Sequence, residues 1–249
     1  ASSGSRATSG ISPRISSSEI YGGFDTIISY FRPFSAEKQS LLTNSTAAPL
    51  RSAFRRAISS ALSLTSTAVT CACADHALAV QAQALFNGPR FRVYTTDDVV
   101  GVEIGGLVKN VLAIAVGASD GFGFGDNTRA ALITRGLAEM MRLGLKMGAR
   151  AQTLCGLAGV GDLIVTCTST HSRNHSVGER LGRGEAIGDI LGSMRMVAEG
   201  VDNAKLLHEL AERHGVEMPI ADVVYRMCHE GLAAEDAVMF LTEREAKPE

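Results

Sequence analysis

The 249 residues carry 24 Lys plus Arg against 26 Asp plus Glu, a formal charge of −2, with 45% apolar and 20% charged side chains. That balance belongs to a soluble globular chain; it excludes disordered and fibrous classes, and also a general nucleic-acid binder, which gathers a basic excess on one face. Five cysteines without a Cys-x-x-Cys spacing fit a reduced compartment, the cytoplasm by default, better than a disulfide framework.

The first seventy residues hold 17 serines and seven basic residues against three acidic ones, with no sustained helical or strand period. We read residues 1–65 as a poorly ordered Ser-rich leader. Its composition is that of a plastid or other organelle transit peptide, and a mistranslated or truncated 5′ end would look the same. Inside it, residues 26–31 and 53–64 are short apolar patches able to form transient helix, the second amphipathic behind Arg51, Arg55 and Arg56. Residues 66–74 are a β-branched, Cys-rich run suited to a buried strand. Asp75 then caps a helix through Leu78, Ala82, Leu85 and Phe86 that stops at Gly88-Pro89, and residues 91–95 alternate as a second strand. Residues 66–98 thus make one βαβ unit with a parallel pair.

Beyond Asp98 the pattern is helical. Residues 99–117 are apolar on every side and predict a central buried helix, not a membrane span, because Glu103 and Lys109 interrupt it. A Gly-rich loop is expected over 117–126, then a helix capped by Asp126 or Asn127 and ended by Gly148, its core stripe formed by Ala131, Ile133, Leu137, Met140, Met141 and Leu145. Further helices are expected at 151–158, 177–181, 198–214, 219–229 and 235–245.

Three clusters carry chemistry. Lys109, on an otherwise apolar helix, must find a carboxylate or lose its proton, which makes it a candidate general acid and base; snorkelling to solvent or pairing with Glu103 is the structural alternative. The run Gly159-Val-Gly-Asp162 places a carboxylate at the mouth of a tight turn, available to a lysine. The polar run 166–174 ends in Arg173 and Asn174 opening a helix, where backbone N–H groups and a guanidinium suit a phosphate, or where a plain N-cap box leaves the arginine solvated. Cys167, His171 and His175 fall at even four-residue steps, but a zinc site needs further ligands and organised support, so no metal is assigned. His208, His214 and His229 read as surface histidines. The glycines of 121–125 follow a helix rather than a strand and are not a dinucleotide fingerprint.

The blocks Gly101-Val-Glu-Ile-Gly-Gly-Leu-Val-Lys-Asn110 and Asp120-Gly-Phe-Gly-Phe-Gly-Asp-Asn-Thr-Arg-Ala-Ala-Leu-Ile-Thr-Arg-Gly136, followed in order by 156–168, Ser172-Arg-Asn174 and Met196-Val-Ala-Glu-Gly200, closely resemble the NAD(P)-dependent glycerol-3-phosphate dehydrogenases from about residue 68 onward. The resemblance implies a mainly α fold over 99–249, an all-helical C-terminal dehydrogenase domain like that of phosphogluconate dehydrogenase, behind a small α/β remnant of a Rossmann domain. It implies NAD or NADP as cofactor, a small-molecule phosphate substrate, and a homodimer as a plausible assembly. Lys109 resembles the catalytic lysine that protonates the carbonyl oxygen of dihydroxyacetone phosphate, and Asp162 the carboxylate that holds its ammonium. Arg173 and Asn174 resemble the pair gripping the substrate phosphate, with Ser172 as a further substrate contact. Arg173, Val197 and Glu199 resemble positions that meet the dinucleotide, and Asn110 supports the lysine. The family's glycine fingerprint and most of its parallel strands have no counterpart in these residues, so the expectation is a fragment inactive alone, with a naturally shortened chain as the other reading. A hydroxyacid or phosphogluconate-type dehydrogenase and a non-catalytic helical dimerisation module are the rivals.

Overall fold

The structure, a computed structural model, describes residues 67–194 and 196–242; the leader and its two apolar patches lie outside them. Strand β1 (Thr67–Ala72) pairs in parallel with β2 (Phe91–Thr96), Thr67 opposite Phe91 and Ala72 opposite Thr96, as a βαβ unit requires. Between them runs α1 (His76–Phe86). The Asp75 carboxylate accepts the Ala77 and Leu78 N–H groups at 2.9 and 3.4 Å, the expected cap. Ala82 of α1 closes a small core with Cys71, Phe91 and Val93.

Asp98 joins this unit to the rest. Buried at the start of α2 (Val99–Phe122), it accepts the Gly101 N–H at 2.9 Å with one oxygen and the Arg150 N–H at 2.8 Å with the other. Burial pushes its carboxyl up, but hydrogen bonds from Thr153, Arg150 and Gly101 outweigh this and hold it below the usual carboxylate range. The Arg150 guanidinium also reaches Asp97 and the Thr96 hydroxyl.

Helix α2 is the centre of the molecule, buried from Gly101 to Ser119 on most of its surface. By length and composition it could cross a membrane, as could residues 151–168. Here the apolar surface of α2 is covered by other helices of the chain. The helix continues to Phe122, so the loop expected from 117 is a correction. Gly117 and Gly121 are helical and lie against α6 (Arg173–Gly182): a Cβ at these positions would fall 2.1 Å from the His175 carbonyl oxygen and 2.0 Å from that of Glu179. Reciprocally, Cβ atoms at Gly178 and Gly182 would fall 2.0 and 2.2 Å from the carbonyl oxygens of Ile114 and Ala118. Two small-x-x-x-small faces lie in close contact, backbone to backbone.

Helix α3 (Asp126–Lys146) is capped by Gly125; Asp126 is not the N-cap but the first helical residue, where its charge meets the positive end of the helix. Its buried line is Gly136, Glu139, Met140 and Leu143, with Ile133, Leu137 and Met141 half-buried, while Ala131 and Leu145 face out of the expected stripe. Glu139 is a buried carboxylate whose two oxygens accept the Ile220 and Ala221 N–H groups at 2.8 and 3.2 Å, capping α9 (Pro219–Tyr225) from a distance in sequence.

The single helix expected over 151–158 is broken into α4 (Ala151–Leu154) and a π-helical turn over Leu157–Gly161 that feeds α5 (Asp162–Thr168). Helix α6 begins four residues before the expected start at 177. Helix α7 (Ile187–Ser193) was not expected, having no side-chain cap and only one fully buried residue, Ile190. Then come α8 (Glu199–His214), α9 with a second π turn over Arg226–Glu230, and α10 (Ala234–Thr242). Helices α3, α5, α6, α8 and α9 all pack on α2, giving the mainly α architecture expected.

Two adjacent glycines of α2 test this packing. A Cβ at Gly105 would sit 2.3 Å from the Ala158 carbonyl oxygen, whereas one at Gly106 would meet nothing within 4 Å. Urea unfolding should show Gly105→Ala destabilised by about 1–3 kcal/mol and Gly106→Ala unchanged or stabilised by up to about 1 kcal/mol.

Candidate functional site

Lys109 is on the buried face of α2, and its ammonium donates to Asp162 Oδ2 at 2.6 Å; their side chains are 5% and 27% exposed. The solvent-snorkelling alternative is thereby set aside, and the pair opens to solvent on the carboxylate side. The π turn aims Asp162: the Gly159 backbone is so close to Leu154 that a Cβ would fall 1.9 Å from its carbonyl oxygen, which draws the chain in just before α5 begins. Asp162 is therefore the first residue of a helix rather than part of a tight turn. One helical turn later, the Thr166 hydroxyl lies 2.7 Å from the Asp162 carbonyl oxygen and 3.4 Å from its Oδ1. The sequence reading passed over Thr166 as part of a polar run. The i,i+4 spacing from Asp162 is the signal that would have found it, had 162–168 been read as helix.

Asn110, next to Lys109, is tied to α6. Asn174 Nδ2 donates to Asn110 Oδ1 at 3.0 Å, and Asn174 Oδ1 accepts the Gly200 N–H at 2.9 Å at the start of α8. The carboxamide of Asn110 thus supports Asn174, which corrects the expectation that it serves the lysine. Lys109, Asn110, Asn174 and Arg173 form one connected line: a peptide link, a hydrogen bond and a second peptide link.

Ser172 is the N-cap of α6, its Oγ accepting the His175 N–H at 3.2 Å. Arg173 lies 3.8 Å from Glu199 Oε1, with both side chains about one-fifth exposed (22% and 21%). Val197, in the segment before α8, is 68% exposed. The structure therefore brings Lys109, Asp162, Asn174, Arg173 and Glu199 into linked positions, while Ser172 is engaged in capping and Val197 stands at the surface.

The evenly spaced Cys167, His171 and His175 do not come together as a group of ligands, and no such group of three occurs among the described residues. Cys167 is fully buried, and burial, followed by the nearby Asp120 charge, pushes its thiol up to about 12. His175 Nε2 is instead 2.8 Å from Asp120 Oδ2, and Asp120 also accepts from Arg129 Nε and Nη2 at 3.3 and 3.0 Å. His208 is not a simple surface residue either: it lies 3.1 Å from Asp222 and stacks on Tyr225.

Thiol accessibility follows from these positions. Cys155 is exposed, whereas Cys71, Cys73, Cys167 and Cys228 are buried, with Cys228 also pushed up to about 12 by burial. Raised values mean little thiolate at neutral pH. Iodoacetamide at pH 7.5 should label the folded chain at Cys155 alone, and all five cysteines once the chain is unfolded; peptide mass mapping reads the difference.

The family model described as the NAD-dependent glycerol-3-phosphate dehydrogenase C-terminus matches residues 98–239. A glycerol-3-phosphate dehydrogenase [NAD(P)+] of Geobacter sulfurreducens is 60% identical over 183 residues, which are 74% of this chain and 55% of that protein. The Citrifermentans bemidjiense protein of the same name is 55% identical over the same shares. Among solved structures, glycerol-3-phosphate dehydrogenase from Coxiella burnetii aligns with a TM-score of 0.70 at 46% identity, over 72% of this chain and 55% of that one. The Saccharomyces cerevisiae enzyme aligns with a TM-score of 0.63 at 28% identity, over the same shares. The chain spans about half the length of the curated relatives it matches, 55% for the first two.

Proposed function

Because this chain belongs to the NAD-dependent glycerol-3-phosphate dehydrogenase family, matching its C-terminal part, we propose that it supplies the substrate-handling half of hydride transfer between sn-glycerol 3-phosphate and dihydroxyacetone phosphate. The observation that carries the reading is the Lys109–Asp162 ion pair, 2.6 Å long, its lysine on the same buried helix as the Asn110 that fixes Asn174 beside Arg173. In this reading residues 99–249 form the substrate domain and 66–98 belong to the nucleotide-binding domain.

The phosphate of the substrate pairs with the Arg173 guanidinium and the remaining Asn174 amide proton, which orients the three-carbon chain toward Lys109. Lys109 gives a proton to the carbonyl oxygen as the adjacent carbon is reduced, and takes it back in the oxidation. Asp162 keeps the ammonium aimed, and Thr166 sits on the other carboxylate oxygen. A bound nicotinamide, NAD or NADP, supplies or accepts the hydride.

Arg173, Glu199 and the exposed Val197 fit one side of such a dinucleotide, offering a cation, an acceptor and an apolar contact. The β1–α1 turn does not fit its pyrophosphate: Asp75 places a carboxylate at the α1 N-terminus and already takes two of its N–H groups. Five free thiols support a reducing compartment, the cytosol.

Calorimetric titration of the 249-residue chain at low salt with glycerol 3-phosphate or dihydroxyacetone phosphate tests the reading. Binding is expected, weakened about 10- to 100-fold by Arg173→Ala, the loss of one charge-assisted contact. A folded chain that binds neither ligand would count against it. In a turnover assay with NADH or NADPH and the nucleotide-binding half supplied in trans, Lys109→Met should lower kcat by about 10²- to 10⁴-fold with a smaller change in KM.

A further inference from the structure

We infer that His175 is a positioning residue for the substrate grip: by its bond to Asp120 it sets the rotation of the first turn of α6, and so the aim of Arg173 and Asn174. The inference rests on the reading of Arg173 and Asn174 given above and concerns a residue that the reading leaves without a role.

The need for such a device comes from the packing. Where α6 crosses α2, glycines meet backbone, with the His175 carbonyl lying directly over Gly117. A contact between smooth, side-chain-free surfaces fixes the distance between two helices but resists sliding and rotation weakly. Directional polar bonds must set the register. The first turn of α6 has two such bonds to α2, besides the one Asn174 accepts from Gly200 of α8. Asn174 Nδ2 donates to Asn110 Oδ1 at 3.0 Å, and His175 Nε2 lies 2.8 Å from Asp120 Oδ2. Asn110 and Asp120 are ten residues apart on α2, about 15 Å along the axis of an α-helix. Adjacent residues of α6 are therefore held toward widely spaced points, and the turn cannot rotate without breaking one bond.

The anchor itself is fixed. Asp120 is 14% exposed, as is His175, and sits in the last turn of α2, where a carboxylate opposes the helix dipole. Arg129 of α3 compensates, reaching both Asp120 oxygens with Nε at 3.3 Å and Oδ1 with Nη2 at 3.0 Å, while its Nη1 holds Asp126. From α5, the neutral thiol of Cys167 lies close enough to feel the Asp120 charge. Asp120 is thus clamped from α3 before His175 meets it from α6, and Ser172 caps the His175 N–H in the same turn.

The test compares the wild-type chain with His175→Ala and His175→Gln, whose carboxamide N–H can replace the Nε2 donor. Arg173 and Asn174 amide resonances are recorded without ligand, followed by titration with glycerol 3-phosphate. The expected result is that His175→Ala shifts both resonances and weakens binding by about 10- to 100-fold, while the circular dichroism spectrum is kept and His175→Gln restores both readouts. Unmoved resonances in His175→Ala, or equal loss in the Ala and Gln variants, would overturn the inference. If the wild-type chain binds no ligand, the functional reading fails separately, and the ligand-free resonances still decide the positioning role. If His175→Ala does not fold, His175→Gln decides alone: wild-type resonances support the inference and displaced ones overturn it.

Discussion

The close crossing of α2 and α6 is the constraint on which the rest of the structure depends. Four glycines, two from each helix, bring backbone against backbone with no room for a Cβ on either side. Apart from Thr166 and Val197, every functional side chain proposed here is on one of these helices or paired with one that is. Lys109 and Asn110 come from α2, Ser172, Arg173 and Asn174 from α6; Asp162 reaches α2 through the lysine, and Gly200 reaches α6 through Asn174.

A helix as apolar as α2 also concentrates the cost of its polar residues, since a buried polar group without a partner is strongly destabilising. Four of them are met by surrounding elements: Asp98 by the backbone of the α3–α4 connection, Lys109 by α5, Asn110 by α6, Asp120 by α3 and α6. Glu139 of α3 does the same for the start of α9. These bonds select one arrangement among the many that apolar helices could adopt around a common centre, and the arrangement they select is the one that assembles the site.

Much of this could be read from the sequence because the signals were local. A lone lysine in an apolar helix announces a buried charge, Asp162 was a plausible partner, and alternation with a Gly-Pro stop marked the βαβ unit. The failures share a cause: residues 117–122 were taken for loop because glycine usually marks a turn, whereas here it marks a neighbour's close approach. Thr166 was missed because α5 is short and follows a π turn, which breaks the 3.6-residue period. Asn110 was assigned to its sequence neighbour, and His175 to a regular spacing, because tertiary partners 64 and 55 residues away leave no local trace.

The π turn over Leu157–Gly161 has a consequence for how this chain can change over time. Point substitutions at its surface positions alter composition and little else, but its length is a phase setting. Removing one residue would rotate everything after it by about 100°, turning Asp162 off Lys109 while every side chain of the pair remained in the sequence. Insertions and deletions in these five positions should therefore be far rarer among functional relatives than replacements, and a gap in an alignment at this point would mark a lineage whose lysine has lost its counter-ion.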